Sequence, residues 1–156
     1  MVEIYTDGSA DNKTKEGGFG YVVVRGDETV HKEWLGMFTS TTSARMEIMA
    51  VLDCLVWCKD NLGGEGVQIF CDNKYVVNTI DLGWYLNWKD EGWFGRKNAD
   101  LWSQFLALKP QLRFEFSIKW IKSHNGNKYN EMADDLAKQG FRNKECSFED
   151  IQVKIC

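Results

Sequence analysis

Four acidic residues, well separated along the chain, have types and positions from which carboxylates can act together. Asp7 and Asp72 each follow a short run of strand-forming residues, and each is followed at once by a turn-former, Gly8 or Asn73. In open α/β sheets, ligands bind at the carboxyl edge of the strands, where both side chains would then lie. An Asp before a Gly is also a common turn residue, so Asp7 alone has a purely structural interpretation.

Glu47, the third candidate, lies about one turn inside a predicted helix that runs to about Cys58. The residues in helical register with it are all apolar: Ala50, Val51, Cys54, Leu55 and Cys58. A carboxylate on a face that packs against a sheet is costly to bury without a partner. Glu47 therefore either serves a site at the sheet, or is satisfied by an ion pair with neighbouring Arg45 or by capping near the helix start.

Asp134, the fourth candidate, lies on the last predicted helix, which Asn130 caps and which runs through Lys138, with Gly140 as its stop signal. If the four carboxylates converge, they cannot all be ionised without a cation. Ligand oxygens without Cys or His select a hard ion, magnesium or manganese. Two such ions close together would suit phosphodiester hydrolysis, in which one activates water and both stabilise the transition state.

Size and composition indicate one globular domain. The chain has 156 residues, 44% of them hydrophobic and 27% charged, which suffices for a sizeable core. We find no apolar run that could span a bilayer and no signal peptide before the first strand. The five cysteines accompany only two histidines, so reduced thiols are a simpler interpretation than a zinc site. We expect a cytoplasmic monomer without membrane association.

Charge and aromatic content give opposite indications about nucleic acid. The net charge of −4 disfavours binding through a broad positive field. An acidic cluster that holds divalent cations would, however, lower the net charge without repelling phosphates. Four of the seven tryptophans fall between Trp84 and Trp102. The stretch 83–97 is too polar for the protein core and too rich in aromatic residues for an ordinary surface loop. This composition favours a surface that contacts or stacks on a ligand such as nucleic acid.

Hydrophobic periodicity predicts the element order β-β-β-α-β-α-α-β-α. Short spacing predicts an antiparallel meander for the first three strands, at 2–6, 19–25 and 29–35. The apolar strand at 67–71 is typical of buried parallel strands, and clean alternation predicts a last strand at 113–122. We expect one domain at residues 1–140 and a tail at 141–156 that could belong to it. In the tail, Ile151, Val153 and Ile155 alternate like a strand without an evident partner.

Five motifs in order carry a resemblance to a known family. They are YTDGS at 5–9, RMEIMA at 45–50, CDNKYV at 71–76, WIKSH at 120–124 and NEMADDLA at 130–137. Each is weak alone, but together they resemble a type 1 ribonuclease H, the family that cuts RNA paired to DNA. The resemblance covers residues 1 to about 140.

The resemblance implies an α/β fold with a mixed five-stranded sheet, three antiparallel strands plus two parallel, flanked by helices. It implies an endonuclease that hydrolyses the RNA strand of RNA/DNA hybrids and leaves 5′-phosphate and 3′-hydroxyl ends. Asp7, Glu47, Asp72 and Asp134 would bind two Mg²⁺ ions, with Mn²⁺ as a substitute. His124 would assist proton transfer or product release, the alternative being an ordinary surface histidine.

The resemblance also implies a set of substrate contacts. Trp84 and Trp88, in a substrate handle formed by residues 83–97, would contact the DNA strand, unless they only pack the handle on the following helix. Thr42 with Asn98 would hold a DNA phosphate, and the shallow minor groove would be read through RNA 2′-hydroxyls. The substrate-binding candidates are Gly8, Ser9, Ala10, Thr42, Ser43, Asn73, Lys74, Trp84, Trp88 and Asn98.

The chain departs from the family pattern in the substrate region. Ser43 and Ala44 stand where the family often has amide side chains, and Lys74 where it often has Gln. The handle has three basic residues offset by Asp90 and Glu91. Two other functions remain: a catalytically weak hybrid-binding module, and a related metal nuclease of the same fold such as a junction resolvase. The complete carboxylate set argues against the first and the five motifs against the second.

Overall fold

A mixed β-sheet of six strands forms the centre of the fold. The computed structural model describes residues 1–152. Its strands are β1 (Val2–Ala10), β2 (Gly17–Arg25), β3 (Glu28–Thr39), β4 (Val67–Cys71), β5 (Phe116–Trp120) and β6 (Phe148–Glu149). Its helices are α1 (Ser43–Asn61), α2 (Lys74–Asp81), α3 (Trp84–Asp90), α4 (Ala99–Leu108) and α5 (Lys128–Phe141), with a 3-10 turn at Lys109–Gln111. None of the helices in this range is both long and apolar enough to cross a bilayer.

The sheet has the strand order β5-β4-β1-β2-β3-β6. The pairs β1–β2 and β2–β3 are antiparallel, whereas β1–β4 and β4–β5 are parallel. The predicted division into an antiparallel meander and a parallel half is therefore confirmed. The predicted count of five strands is one too low, because the two-residue β6 pairs in parallel with the end of β3.

The tail beyond residue 141 differs from the alternation expected at 151–155. The strand that does form, β6, lies upstream at Phe148–Glu149, and Ile151 is exposed and outside any strand. Val153 and Ile155 lie outside the described residues. Two residues are too few to produce a periodic signal, so the sequence could not indicate β6.

Helices cover both faces of the sheet. Alternation along β1 sends Ile4 into the main core with α1, while Tyr5 joins a second cluster with Ala133 and Leu136 of α5. The same alternation sends Gly8 towards α1. A Cβ at Gly8 would lie 2.5 Å from the backbone nitrogen of Glu47, so only glycine lets the helix approach β1 this closely.

Several predicted boundaries differ from the structure. β1 continues to Ala10 through pairing with β2, although its parallel pairing with β4 ends at Thr6. Asp7 therefore lies inside a strand, just beyond the parallel ladder. Gly140 does not end α5, which continues to Phe141. A Cβ at Gly140 would lie 2.2 Å from the carbonyl oxygen of Leu35, so close packing against β3 explains this glycine.

The handle, residues 83–97, contains more core than its composition indicates. It includes α3, and Tyr85 and Trp93 are buried in the main core cluster, whereas Phe94 is 89% exposed. The predicted strand at 113–122 is shorter than expected. Ladder pairing with β4 covers only Phe116–Trp120, although Phe114 is buried beside it.

Candidate active site

The four predicted carboxylates come from four different elements that meet at one edge of the sheet. The parallel register pairs Thr6 with Cys71, so the next residues along the two segments are Asp7, within β1, and Asp72, directly after β4. Glu47 lies in the second turn of α1, and Asp134 lies in the middle of α5. The closeness of α1 to Gly8 brings Glu47 down to the same edge.

Direct contacts link the four side chains. The carboxyl group of Asp7 makes hydrogen-bonding contact with Glu47 and with Asp134, and that of Asp72 does so with Glu47. One carboxylate oxygen each of Glu47 and Asp72 and the sulfur of Cys71 all lie within 4.8 Å of one another. The backbone N–H of Gly8 donates to Oδ1 of Asp7 at 2.9 Å.

Three of these carboxyl groups have raised pKa values. Burial, followed by the charge of Asp72, raises the pKa of Asp7 to about 7. Burial and then the charges of Asp7 and Asp72 raise the pKa of Glu47 well above its ordinary value. Burial is also the main cause that raises the pKa of Asp72. These three carboxyl groups therefore lie in a buried, negatively charged environment that lacks a compensating ion-pair partner among the described residues.

Asp134 differs from the other three carboxylates. Burial raises the pKa of its carboxyl group, but the hydrogen bond from Lys138 and the contact with Asp7 outweigh burial, so the pKa is lowered. The ammonium group of Lys138 lies 2.9 Å from Oδ2 of Asp134. The ion pair with Lys138, one helical turn further along α5, therefore favours the ionised form of Asp134.

Hard divalent cations fit this donor set. Within residues 1–152, no Lys, Arg or His side chain forms an ion pair with Asp7, Glu47 or Asp72. Clustered carboxylates without a cation partner are the ligand chemistry that Mg²⁺ and Mn²⁺ take. Cys71 is a less suitable donor, because burial raises the pKa of its thiol well above the ordinary value and keeps it protonated.

The suggested ion pair between Glu47 and Arg45 is wrong. The guanidinium of Arg45 bonds to Asp100 and Asp150 instead, on the other side of α1. Neighbours in a helix sequence point in different directions, and both partners are more than 50 residues away in the sequence. Local sequence could not indicate either partner.

His124 lies in the exposed loop between β5 and α5, at a positive φ of 54°. Burial is the main influence on the pKa values of Asp72 and Asp134 and raises both; the nearby charge of His124 is a smaller influence that lowers both. His124 therefore lies close enough to these two carboxylates to act on them electrostatically, and its side chain is exposed to solvent.

Trp120 supports Asp72 in a way that the sequence did not suggest. Its indole N–H donates to the backbone carbonyl of Asp72 at 3.0 Å, and Lys74 lies over its ring at 4.5 Å from the centroid. The contact follows from the register of the parallel strands, in which Trp120 of β5 pairs with Cys71 of β4, the residue before Asp72. The alternation in the sequence predicts that Trp120 shares one face with Phe114 and Ile118, but those two side chains are buried, whereas Trp120 is exposed.

The substrate-binding candidates outside the DNA-strand group lie on the segments that carry Asp7, Glu47 and Asp72. Gly8, Ser9 and Ala10 are the half-buried end of β1, and the hydroxyl of Ser43 donates to the carbonyl of Ala10 at 3.4 Å. The side chain of Asn73 accepts from the N–H of Val76 and so caps α2.

The predicted contacts to the DNA strand form a separate group. Trp84 and Trp88 lie next to each other on α3 with ring centroids 6.3 Å apart, and Arg96 lies 5.0 Å from the Trp88 ring. Thr42 caps α1 by accepting from the N–H of Arg45, and Asn98 accepts from the guanidinium of the same residue. Arg45 therefore links these two polar side chains.

Comparisons with known proteins identify the family of this chain. The model of the family described as RNase H matches residues 1–142. A ribonuclease H of Syntrophomonas wolfei is 34% identical over 89% of this chain and 94% of its own length. One of Hahella chejuensis is 37% identical over 90% and 93%. The solved structure of LC9-RNase H1, a type 1 RNase H with the type 2 active-site motif, superposes with a TM-score of 0.74 at 24% identity over 90% of this chain and 71% of its own. That of LC11-RNase H1 in complex with an RNA/DNA hybrid has a TM-score of 0.68 at 20% identity over 90% and 96%.

Proposed function

The chain belongs to the RNase H family, and on that premise we propose that Asp7, Glu47, Asp72 and Asp134 form the site at which it cuts its substrate. The enzyme is a ribonuclease H that hydrolyses the RNA strand of RNA/DNA hybrids. The single observation that carries the site assignment is the convergence of these four carboxylates from β1, α1, the end of β4 and α5.

The four carboxylates would hold two Mg²⁺ ions, for which Mn²⁺ can substitute. When bound, the ions supply activation of the attacking water and charge stabilisation at the scissile phosphate, with 5′-phosphate and 3′-hydroxyl products. The protein contributes the fixed positions of the ligands. Gly8 holds Asp7 through its N–H, and Trp120 holds the backbone of Asp72.

His124 assists the reaction from the solvent side. An imidazole ring offers both a hydrogen-bond donor and an acceptor, which suits a group that passes protons. Its loop has the positive φ angles of His124 and Gly126 and little burial. This position suits a group that moves protons or helps product leave, and it does not suit a fixed ligand.

The substrate is held by two separate sets of residues. The end of β1, with Ser43, Asn73 and Lys74, contacts the RNA strand beside the carboxylates. The tryptophan pair on α3, together with Thr42 and Asn98, contacts the DNA strand. The aromatic group supports this role, because Trp88 keeps a partly exposed ring between Tyr75 and Arg96.

We further propose that residues 1–140 form the catalytic domain and that the described part of the tail, 141–152, belongs to the same domain. Pairing of β6 with β3 supports this assignment. A cytoplasmic monomer without membrane association fits the four free cysteines in the described range, three of which are buried.

A panel of duplexes tests the function. Purified protein is incubated with RNA/DNA, RNA/RNA and DNA/DNA duplexes, with and without Mg²⁺. Cleavage of the RNA strand in RNA/DNA only, and only with the metal, supports the proposal. A hybrid-binding module would bind without cutting, and a junction resolvase would cut branched DNA instead.

A further inference from the structure

A buried ionic network joins α1, the start of α4 and the C-terminal tail. Arg45 uses all five of its N–H donors. Two reach Asp100 at 2.9 and 2.8 Å, two reach Asp150 at 2.7 and 3.0 Å, and one reaches Oδ1 of Asn98 at 3.5 Å. The side chains of Arg45, Asp100 and Asp150 are all nearly inaccessible to solvent.

Asp150 lies beyond residue 142, where the match to the family model ends. It is nevertheless firmly built into the fold. Its N–H donates to the carbonyl of Thr39 at 2.9 Å, and its carboxylate accepts from the hydroxyl of Thr41 at 2.8 Å. The tail thus places one carboxylate beneath the N-terminus of α1.

The network ends at the two residues proposed to hold a DNA phosphate. Because Oδ1 of Asn98 accepts from Arg45, its NH₂ group is turned the other way and donates to the hydroxyl of Tyr75 at 3.3 Å. The second N–H of that amide has no partner among residues 1–152. The oxygen of Thr42 accepts from the N–H of Arg45, which leaves its own proton to donate. Both free donors suit a phosphate oxygen.

Asp100 alone cannot hold the guanidinium in this orientation. Without the carboxylate of Asp150, the Nε–H and one Nη2–H of Arg45 would be buried without acceptors. Buried unpaired donors are costly, so the guanidinium would turn to find other acceptors. Asn98 and the first turn of α1 would then lose their present alignment.

We propose that Asp150 is a positioning residue for substrate binding, which through Arg45 aligns Asn98 and Thr42 on one phosphate of the DNA strand. This inference rests on the proposed function, because it takes from it the role of Thr42 and Asn98. It adds that the tail outside the family-matched region contributes to affinity for the hybrid.

The test uses hybrids in which single DNA phosphates are replaced in turn by uncharged methylphosphonates. With the wild-type enzyme, a methylphosphonate at one particular position should raise KM by about tenfold. This penalty corresponds to the loss of a hydrogen bond to a charged group. Asn98→Ala should abolish that penalty. Asp150→Asn should raise KM for the unmodified hybrid and reduce the penalty to less than about threefold, with kcat changed less than about twofold.

Two further variants separate alignment from stability. Val24→Ala removes core packing in β2 away from the network and should keep the full methylphosphonate penalty. Thr41→Val removes only the hydroxyl that bonds to Asp150, and it decides the question if Asp150→Asn does not fold. Like Asp150→Asn, Thr41→Val should reduce the KM penalty caused by the methylphosphonate. All rates are measured well below the lowest melting temperature.

The possible failures are distinguishable. If Asn98→Ala abolishes the penalty while Asp150→Asn and Thr41→Val keep it, the tail is merely structural and the inference is overturned, with the phosphate contact intact. If Asn98→Ala also keeps the penalty, the phosphate contact itself is misassigned, and the inference is overturned with it.

Discussion

Replacing Asp7 by Asn should stabilise the metal-free protein at neutral and alkaline pH. The pKa of Asp7 rises from 3.8 to about 7 on folding, mainly through burial and then through the charge of Asp72. The folded state therefore binds a proton that the unfolded state releases. Stability must fall as pH rises from about 4 through 7, because ionising this buried group opposes folding.

The magnitude follows from the shift. A difference of about 3 pKa units corresponds to roughly 4 kcal/mol at pH 8, since each unit is worth about 1.4 kcal/mol. That value is an upper limit, because Asp7 shares its proton with Glu47. Relief by Asn should therefore amount to roughly 1–3 kcal/mol. The Oδ1 atom that accepts from Gly8 is kept in the variant.

Urea unfolding in the presence of a chelator, at pH 5 and at pH 8, measures the effect. Asp7→Asn should raise the free energy of unfolding at pH 8 and change it little at pH 5. Asp135→Asn, an exposed neighbour on α5, is the matched control and should behave like the wild type at both pH values. Added Mg²⁺ should stabilise the wild type more than the Asp7 variant, because the metal binds only the folded state.

One result would refute this reasoning. If Asp7→Asn is equally or less stable than the wild type at pH 8 without metal, the carboxylate is not destabilised by its surroundings. The close approach of the four side chains would then have no electrostatic cost, and the need for cations would lose its physical basis.

Three further outcomes are expected at the periphery of the site. His124→Ala should lower kcat by roughly 10²–10⁴-fold, the range typical of general acid–base assistance, with little change in KM. The pH–rate profile should become flatter, and an unchanged profile would contradict a role of His124 in proton transfer. Trp88→Ala should raise KM for the hybrid by about tenfold or more, since aromatic contacts to bases are worth roughly 1–3 kcal/mol, and a normal KM would mean that Trp88 only packs the handle. Replacing Asp90 and Glu91 together by Lys should tighten binding and steepen its dependence on salt, by a slope of about −0.9 for each phosphate newly neutralised, and an unchanged salt slope would exclude electrostatic contact there.

Much of the fold could be predicted from the sequence because the patterns that indicate these strands and helices are local. Alternation in β1 and β2 and the apolar face of α1 are short-range patterns that follow directly from burial. The parallel strand β4, followed at once by Asp72, was recognisable in the same way. These patterns predicted that Asp7 and Asp72 lie at the edge of the sheet, whereas the full set with Glu47 and Asp134 was implied only by the resemblance.

Features that depend on distant residues could not be predicted in this way. Arg45 finds its partners at Asp100 and Asp150, and the periodicity of α1 contains no information about either. Gly140 looked like a helix stop, but its lack of a side chain allows contact with Leu35. The burial of Trp93 in a polar stretch likewise depends on how the handle folds back onto α4.

The carboxylate site is tested most directly by the rate of RNA cleavage in a hybrid with Mg²⁺, measured in a single turnover for Asp72→Asn. Asp81→Asn, an exposed acid at the end of α2, is the matched control. We predict that Asp72→Asn abolishes cleavage while hybrid binding is retained, and that Asp81→Asn cleaves like the wild type. Near-wild-type cleavage by Asp72→Asn would contradict the assignment of the four carboxylates as the catalytic site.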